Sequence, residues 1–406
     1  MRLGKACSLI RTGRVSMTVV LYPLAHLVLE IYSGMLAVMW PLFAARFGLS
    51  YGAVGLLNMI FRSSMNLPQP AFAAVTDRYG SRLVSISGLV CMALGMGLVG
   101  LAPNAVVLGL ILALAPLGAA AFHPAGATQM NRALPRRLGT GMALFLVGHM
   151  LGSSLGPVLG AWLYVPHGVS ASPAFIPLGL VWALLMLRLV PPDHGEVKSK
   201  AQPVRPRARV LPAMLLLVPA CVGQFWIDGA IVSYLPLLYT ARGLSLSTAS
   251  QALFLYSLLA AGGVFVGGAL SDRLPRWCVV ALAYALTMPC YIAALLLTGR
   301  WALLALAGLG FVSCMSHSVT PAIAQELMPD RVSLASALSI GFSIFVGSLG
   351  TALTGFLADH IGMQVSLLLL VSVPAIGMAC ILAMRAVVKQ RLALVTVDNA
   401  PMGMKI

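Results

Sequence analysis

Residues 18–240 and 213–406 of this chain carry the same landmarks twice, and no other feature restricts its possible folds so strongly. Gly48-Leu49-Ser50 returns as Gly243-Leu244-Ser245, and Asp77-Arg78 returns as Asp272-Arg273. Pro41 returns as Pro236, His123 as His317 and Pro135 as Pro329, every pair 194 or 195 residues apart. The repeated unit is about half the chain and almost wholly apolar. That combination points to two six-helix halves related by an axis along the membrane normal, the plan of a secondary transporter.

Composition agrees with this plan. Of 406 residues, 60% are hydrophobic and 9% are charged, too few charges for a soluble domain of this size. A spanning helix needs about 20 mostly apolar residues. Twelve such segments are predicted, near 18–43, 51–75, 83–102, 105–129, 139–165, 172–190, 211–239, 246–270, 278–298, 301–326, 333–358 and 364–388. The 40 Gly and 25 Pro would break soluble helices, but packed neighbours in a membrane re-satisfy the freed backbone groups. The expected fold is an all-α membrane protein with twelve transmembrane helices in two pseudo-symmetric bundles. Residues 1–190 form the first bundle, 191–210 a Pro-rich basic cytoplasmic linker, and 211–406 the second bundle with a short cytoplasmic tail.

The formal net charge of +16 is unevenly spread. Of 26 Lys and Arg, 22 fall in the termini and one set of alternate loops: Arg2, Lys5, Arg11 and Arg14; Arg78 and Arg82; Arg132, Arg136 and Arg137; the 188–209 stretch; Arg273 and Arg276; Arg331; and Arg385 to Lys405. The opposite loops hold only Arg46, Arg242 and Arg300. This positive-inside asymmetry puts both termini in the cytoplasm. The basic charge sets topology and meets anionic lipid heads, so no nucleic-acid partner is implied. Residues 1–16 are basic, but the apolar run after them is too long for a signal-peptide core, so the first helix is expected to be retained. The seven Cys are an odd number, scattered and without a CxxC, which suggests neither disulfides nor a metal site. No nucleotide-binding loop, catalytic nucleophile, metal-spaced His/Cys set or cofactor fingerprint supports an enzyme. The expectation is no cofactor and no metal, with energy drawn from an ion or substrate gradient.

Three groups of residues carry the functional reading. Asp77-Arg78-Tyr79-Gly80-Ser81-Arg82 joins the second and third segments, and Gly268-Ala269-Leu270-Ser271-Asp272-Arg273 joins the eighth and ninth. Gly80 supplies a tight turn at low steric cost, and Asp77 can accept N–H groups at a facing helix start or pair with a loop Arg. Asp77, Arg78, Gly80, Arg82, Asp272 and Arg273 then form a gate that favours one state of the cycle, or they simply anchor topology. In the fifth segment, Gly148, Gly152, Gly156 and Gly160 recur every fourth residue around a kinking Pro157, and Gly263 and Gly267 do so in the eighth. Such a stripe lets another backbone approach closely.

The third group is ionisable and polar residues at membrane depth. They are His26, Glu30, Asn58, Arg62 (with Asn66), His123, His149, Gln224, Asp228 and His317. A charge there costs on the order of 2.5–3.5 kcal/mol, so it faces the interior and carries function by default. His26 and Glu30 share a helix face at i,i+4. Glu30 and Arg62, near the middle of adjacent helices, read as partners, either as a coupling site or as a static ion pair. A carboxylate near a cavity can have its proton affinity moved by substrate or by water. Glu30 and Asp228 are therefore the proton-coupling candidates. His26, Asn58, Arg62, His123, His149, Gln224 and His317 are the substrate-binding candidates.

Together these motifs resemble the major facilitator superfamily over the whole chain, through the loop signature at Asp77 and its copy at Asp272. The pattern departs at Ala73, where the family usually has Gly, and at Pro275, where the first half has Gly80. The fifth-segment glycines look like the motif associated with proton-coupled exporters, and they also suit generic packing. More narrowly, several elements resemble the fosmidomycin-resistance branch. They are His26-Leu-Val-Leu-Glu30, Trp40-Pro41-Leu42, Gln69-Pro70, Thr76-Asp77-Arg78-Tyr79, Phe122-His123-Pro124 and Gly152-Ser-Ser-Leu-Gly156-Pro157. Ala125 stands where that branch has Glu, and Arg62 where a neutral polar residue is usual. The resemblance implies a proton-driven drug exporter; with Arg62 and several His suiting a small polar or anionic drug or metabolite, the expectation is a monomeric antiporter in a bacterial inner membrane, working by rocker-switch alternating access. Proton-coupled import or exchange of a small organic anion is the alternative, motivated by Arg62. A non-transporting membrane sensor or scaffold is the third reading.

Overall fold

The computed structural model describes residues 15–134, 138–193, 211–328 and 332–396. The basic termini, the repeat pair Pro135 and Pro329, Arg136, Arg137, Arg331 and all of the linker beyond Asp193 lie outside the described residues. The helices are α1 (Val15–Phe47), α2 (Tyr51–Asn66), α3 (Gln69–Tyr79), α4 (Ser81–Leu98), α5 (Ala105–Leu114), α6 (Leu117–Ala133), α7 (Leu138–His167), α8 (Ile176–Leu189) and α9 (Leu211–Ala241). They continue as α10 (Leu246–Ser271), α11 (Arg276–Leu296), α12 (Gly299–Cys314), α13 (Val319–Leu327), α14 (Val332–Ser336), α15 (Ser343–Ile361), α16 (Met363–Leu369) and α17 (Ser372–Thr396). These build twelve transmembrane helices, since several spans are made of two pieces. Among the described residues, eleven of the spans are long and apolar enough to cross a membrane.

The twelfth span, predicted as one helix over 51–75, is broken between α2 and α3 and runs on to Tyr79. Pro68 and Pro70 lack N–H groups, so a continuous ladder cannot pass them. The helical ladder runs up to the break, where Leu67 N–H donates to Ser63 O at 2.9 Å, and the Gln69 side-chain amide reaches back across it to Met65 O at 3.2 Å. Similar breaks fall at Pro116, between α5 and α6, and at Met315–Ser318, between α12 and α13. Ahead of α15 the chain winds as a π-helix over Ala337–Phe342.

By backbone compactness one unit holds most of the first half together with residues 242–254, and the other holds most of the second half together with residues 50–59. Glycine sets the tightest contacts within each. In the first, a Cβ on Gly148 would lie 2.0 Å from Pro23 O, and one on Gly152 would lie 2.3 Å from Leu27 O and 2.8 Å from Glu30 Cβ. One on Gly156 would lie 2.7 Å from Gly34 Cα. The stripe read from the sequence is thus the face on which α7 lies backbone to backbone on α1. In the second unit, Gly263 and Gly267 of α10 stand equally close to Phe311 O and Met315 O, at 1.9 and 2.0 Å by the same measure. Gly347 of α15 stands against Phe225 Cβ, at 2.9 Å.

A Gly152→Ala variant is expected to force α7 off α1, because the obstacle is backbone. Overpacking of this kind costs about 1–3 kcal/mol, so the melting temperature of the detergent-solubilised protein should fall. Gly268→Ala is the paired comparison. Its Cβ would meet only Ser318, the nearest atom being Oγ at an ordinary 3.5 Å, and it should melt like the parent.

Candidate functional site

The α1–α7 approach determines what happens to Glu30. On α1, Glu30 and His26 lie one turn apart and are both buried, each 2% exposed. On α7, His149 follows Gly148 and so rides on the helix face pressed against α1. On α6, His123 precedes Pro124 and is turned inward beside the buried Phe122. Three imidazoles therefore converge on one carboxylate oxygen. His149 Nδ1 lies 3.0 Å from Glu30 Oε1, His123 Nε2 lies 3.1 Å away and His26 Nε2 lies 3.7 Å away. The four ligating atoms all fall within 4.8 Å of one another. The rings also pack as a group, with His26 5.1 Å from His123, 5.3 Å from His149 and 4.0 Å from Phe145, centroid to centroid.

Glu30 thus has three imidazole partners where the sequence suggested Arg62. Desolvation accounts for the two close contacts: an ionised carboxylate at this depth needs hydrogen-bond donors, and His123 and His149 stand at donor distance. The outer nitrogens are also held. His26 Nδ1 lies 2.9 Å from Phe145 O, and since a carbonyl only accepts, Nδ1 carries the proton and Nε2 presents its lone pair to the cluster. His123 Nδ1 lies 3.3 Å from the Gln69 amide nitrogen, just beyond the break between α2 and α3. His123 and His149 are the more exposed members of the cluster, their side chains 18% and 41% exposed.

Of the other sequence candidates, Arg62 belongs to the first unit and Asn58, Gln224, Asp228 and His317 to the second. Arg62 is half-buried on α2, and its carbonyl accepts from the Asn66 amide at 2.8 Å. Asn58 is buried in the other unit. There Asp228 Oδ1 accepts from Tyr256 Oη at 3.1 Å, and Gln224 Oε1 accepts from Thr320 Oγ1 at 3.4 Å. His317, the repeat of His123, stacks on Phe225 at 5.1 Å. Phe225 sits 195 residues after Glu30 and faces Gly347 as Glu30 faces Gly152. The repeat keeps the geometry and replaces the carboxylate with a phenyl ring, which is why one half has a charged cluster and the other an aromatic stack.

At the Asp77 loop, Asp77 and Arg78 are exposed and Gly80 takes a left-handed φ of 89°. The carboxylate that receives a helix start here is Asp193, which the sequence reading passed over. Its Oδ2 accepts from Ser81 N–H at 2.9 Å and from the Ser81 hydroxyl, and its Oδ1 accepts from Arg82 N–H at 2.9 Å. Arg132 Nη1 pairs with it at 2.6 Å, and the Arg82 guanidinium donates to Leu187 O. In the second half Asp272 and Arg273 are likewise exposed, and Arg276 pairs with Glu326. Asp359 was also missed. Its two oxygens accept the first N–H groups of α2, from Tyr51 at 2.7 Å and Gly52 at 2.9 Å. Both aspartates bind a helix start more than 100 residues away, so no local pattern marks them.

Burial raises the Asp193 carboxyl, but the Ser81 hydroxyl, the Arg82 and Ser81 N–H groups and Arg132 outweigh it and hold the group below its usual range. A depressed carboxyl stabilises the fold fully above its unfolded value of about 3.9 and loses that contribution as pH falls through its lower folded value. The melting-temperature gap between the parent and Asp193→Asn should therefore be constant above about pH 5 and close towards pH 3.

The family model for the Major Facilitator Superfamily matches residues 24–338. The chain is 28% identical over 373 residues to the fosmidomycin resistance protein of Escherichia coli (strain K12), covering 88% of this chain and 90% of that one. It is 23% identical over 374 residues to the uncharacterized MFS-type transporter YfnC of Bacillus subtilis (strain 168), again covering 88% and 90%. Among solved structures, a bacterial homologue of the human lysosomal transporter Spinster, inward-facing and occupied, superposes with a TM-score of 0.79 at 17% identity, covering 92% of this chain and 97% of that chain. A point mutant of the nucleoside transporter NupG superposes with a TM-score of 0.75 at 12% identity, covering 91% and 99%. The twelve-helix fold, the repeated halves and a model match across most of the chain agree: this integral membrane protein belongs to the Major Facilitator Superfamily of transporters.

Proposed function

We propose that this chain is a proton-coupled exporter of a small polar or anionic drug or metabolite, working by rocker-switch alternating access. The observation that carries the reading is the buried Glu30 carboxylate, met by three imidazoles on three helices, of which His123 and His149 are partly exposed. A carboxylate in such surroundings can exchange a proton when its imidazole partners move, and the partly exposed His123 and His149 can pass that proton on. Glu30 is the main proton acceptor and Asp228, hydrogen-bonded to Tyr256, the second. Arg62, Asn58, Gln224 and His317 contact substrate, together with the imidazoles of His26, His123 and His149. Asp77, Arg78, Gly80, Arg82, Asp272 and Arg273 close the cytoplasmic gate. The membrane is a bacterial inner membrane, with both termini cytoplasmic by the distribution of Lys and Arg. Likeness to the fosmidomycin resistance protein over 88% of the chain supports a phosphonate-like anion as the substrate class.

The test is fosmidomycin susceptibility of a sensitive bacterium producing the parent or Glu30→Gln at equal membrane levels. The parent is expected to protect and the variant to lose protection by on the order of tenfold, the scale of one charge-assisted contact worth ~1.5 kcal/mol. Equal protection by both would overturn the role of Glu30. Heightened susceptibility with the parent would overturn export and support anion uptake through Arg62.

A further inference from the structure

The geometry points to a second occupant of the same centre. We propose that His26 Nε2, Glu30 Oε1, His123 Nε2 and His149 Nδ1 form a binding site for a divalent cation of the Zn2+ type. The cation takes the place of the coupling protons and arrests the transport cycle. The arrest rests on the proposed role of Glu30; the binding does not.

Four observations carry it. The first is the donor set: three imidazole nitrogens and one carboxylate oxygen are the ligands that borderline-soft divalent ions take, whereas Mg2+ and Ca2+ require a shell of oxygens. The second is the spacing. Zn–N and Zn–O bonds of about 2.0–2.2 Å at tetrahedral angles place neighbouring ligand atoms roughly 3.3–3.5 Å apart. The distances from Glu30 Oε1 are 3.0, 3.1 and 3.7 Å, which straddle that edge, and the set as a whole closes within 4.8 Å. Small rotations of the side chains suffice to seat an ion.

The third observation is an unpartnered polar atom. His26 is buried, and its Nε2 has no hydrogen-bond partner although it is aimed at Glu30 Oε1. With Nδ1–H committed to Phe145 O, this nitrogen is a lone pair facing a carboxylate. A cation between them satisfies both, and the backbone carbonyl behind His26 is the usual outer support of a metal-bound imidazole. The fourth is the support of His123. The Gln69 amide at its Nδ1 can donate from nitrogen or, turned over, accept on oxygen. In the second orientation Nδ1 keeps the proton and Nε2 becomes a ligand. His149, its side chain 41% exposed, is the edge of the cluster from which an ion would arrive.

The test uses the purified full-length protein in detergent. Zn2+ binding is measured by calorimetry, with Mg2+ as comparison, and Co2+ is added as a spectroscopic reporter. The parent is expected to bind one Zn2+ and no Mg2+, and to give the intense visible bands of tetrahedral Co2+. His149→Ala and Glu30→Gln should each weaken Zn2+ binding by about tenfold or more and remove those bands. His149 is partly exposed, so its variant serves if Glu30→Gln fails to fold. His360→Ala, at an exposed histidine that is not a member of the cluster, should bind as the parent does. Absence of Zn2+ binding by the parent, or bands that persist in both cluster variants, would overturn the site. A parent that fails to bind Zn2+ while Glu30→Gln abolishes protection would sink the metal site and leave the coupling role intact. Binding that depends on the cluster, with protection unaffected by Glu30→Gln, would keep the metal site and sink both the coupling role and the arrest.

Discussion

An ionisable side chain inside a helix bundle has to be solvated by the protein itself. Glu30 meets that demand with imidazoles from α6 and α7, and much else in the first half follows from it. His149 reaches the carboxylate because Gly148 and Gly152 let α7 lie against the backbone of α1. A larger residue at either position would move His149 outward along with its helix. The glycine stripe and the charged cluster are two sides of one contact.

The repeat made the fold legible. Landmarks about 195 residues apart required two like halves, and apolar runs of spanning length required helices. The glycine spacing correctly marked a close-packed face, and the i,i+4 spacing correctly put His26 beside Glu30. What the sequence did not show were partners set by tertiary contact. Glu30 and His149 are 119 residues apart, and Arg62, one helix away, is the simpler guess when only depth and charge are known. Asp193 and Asp359 were overlooked for a similar reason: each satisfies the start of a helix remote in sequence. Of the helix breaks, those at Pro68 and Pro116 had a visible cause in the proline, yet membrane helices tolerate proline so often that its presence did not locate them.

The comparison of halves refines what repetition means here. His123 and His317 occupy matching places, but the first faces a carboxylate and the second a phenyl ring. Backbone packing has been kept where it fixes the distance between helices, while the side chains that this distance brings together have diverged. The second half carries its own acid one turn further along, at Asp228, with a tyrosine hydroxyl in place of imidazoles.

The π-helix at Ala337–Phe342 acquires a meaning from the same arithmetic. Matching residues are 194 apart at His123 and His317, and 195 apart again at Gly152 and Gly347. The π-helix lies in that interval, and its wider turn accommodates a residue that a regular helix would not. In an unbroken α-helix an added residue would swing everything after it by about 100°. The bulge absorbs that rotation, so the face carrying Gly347 still meets α9. The one-residue difference in spacing between the two halves is taken up within a single turn.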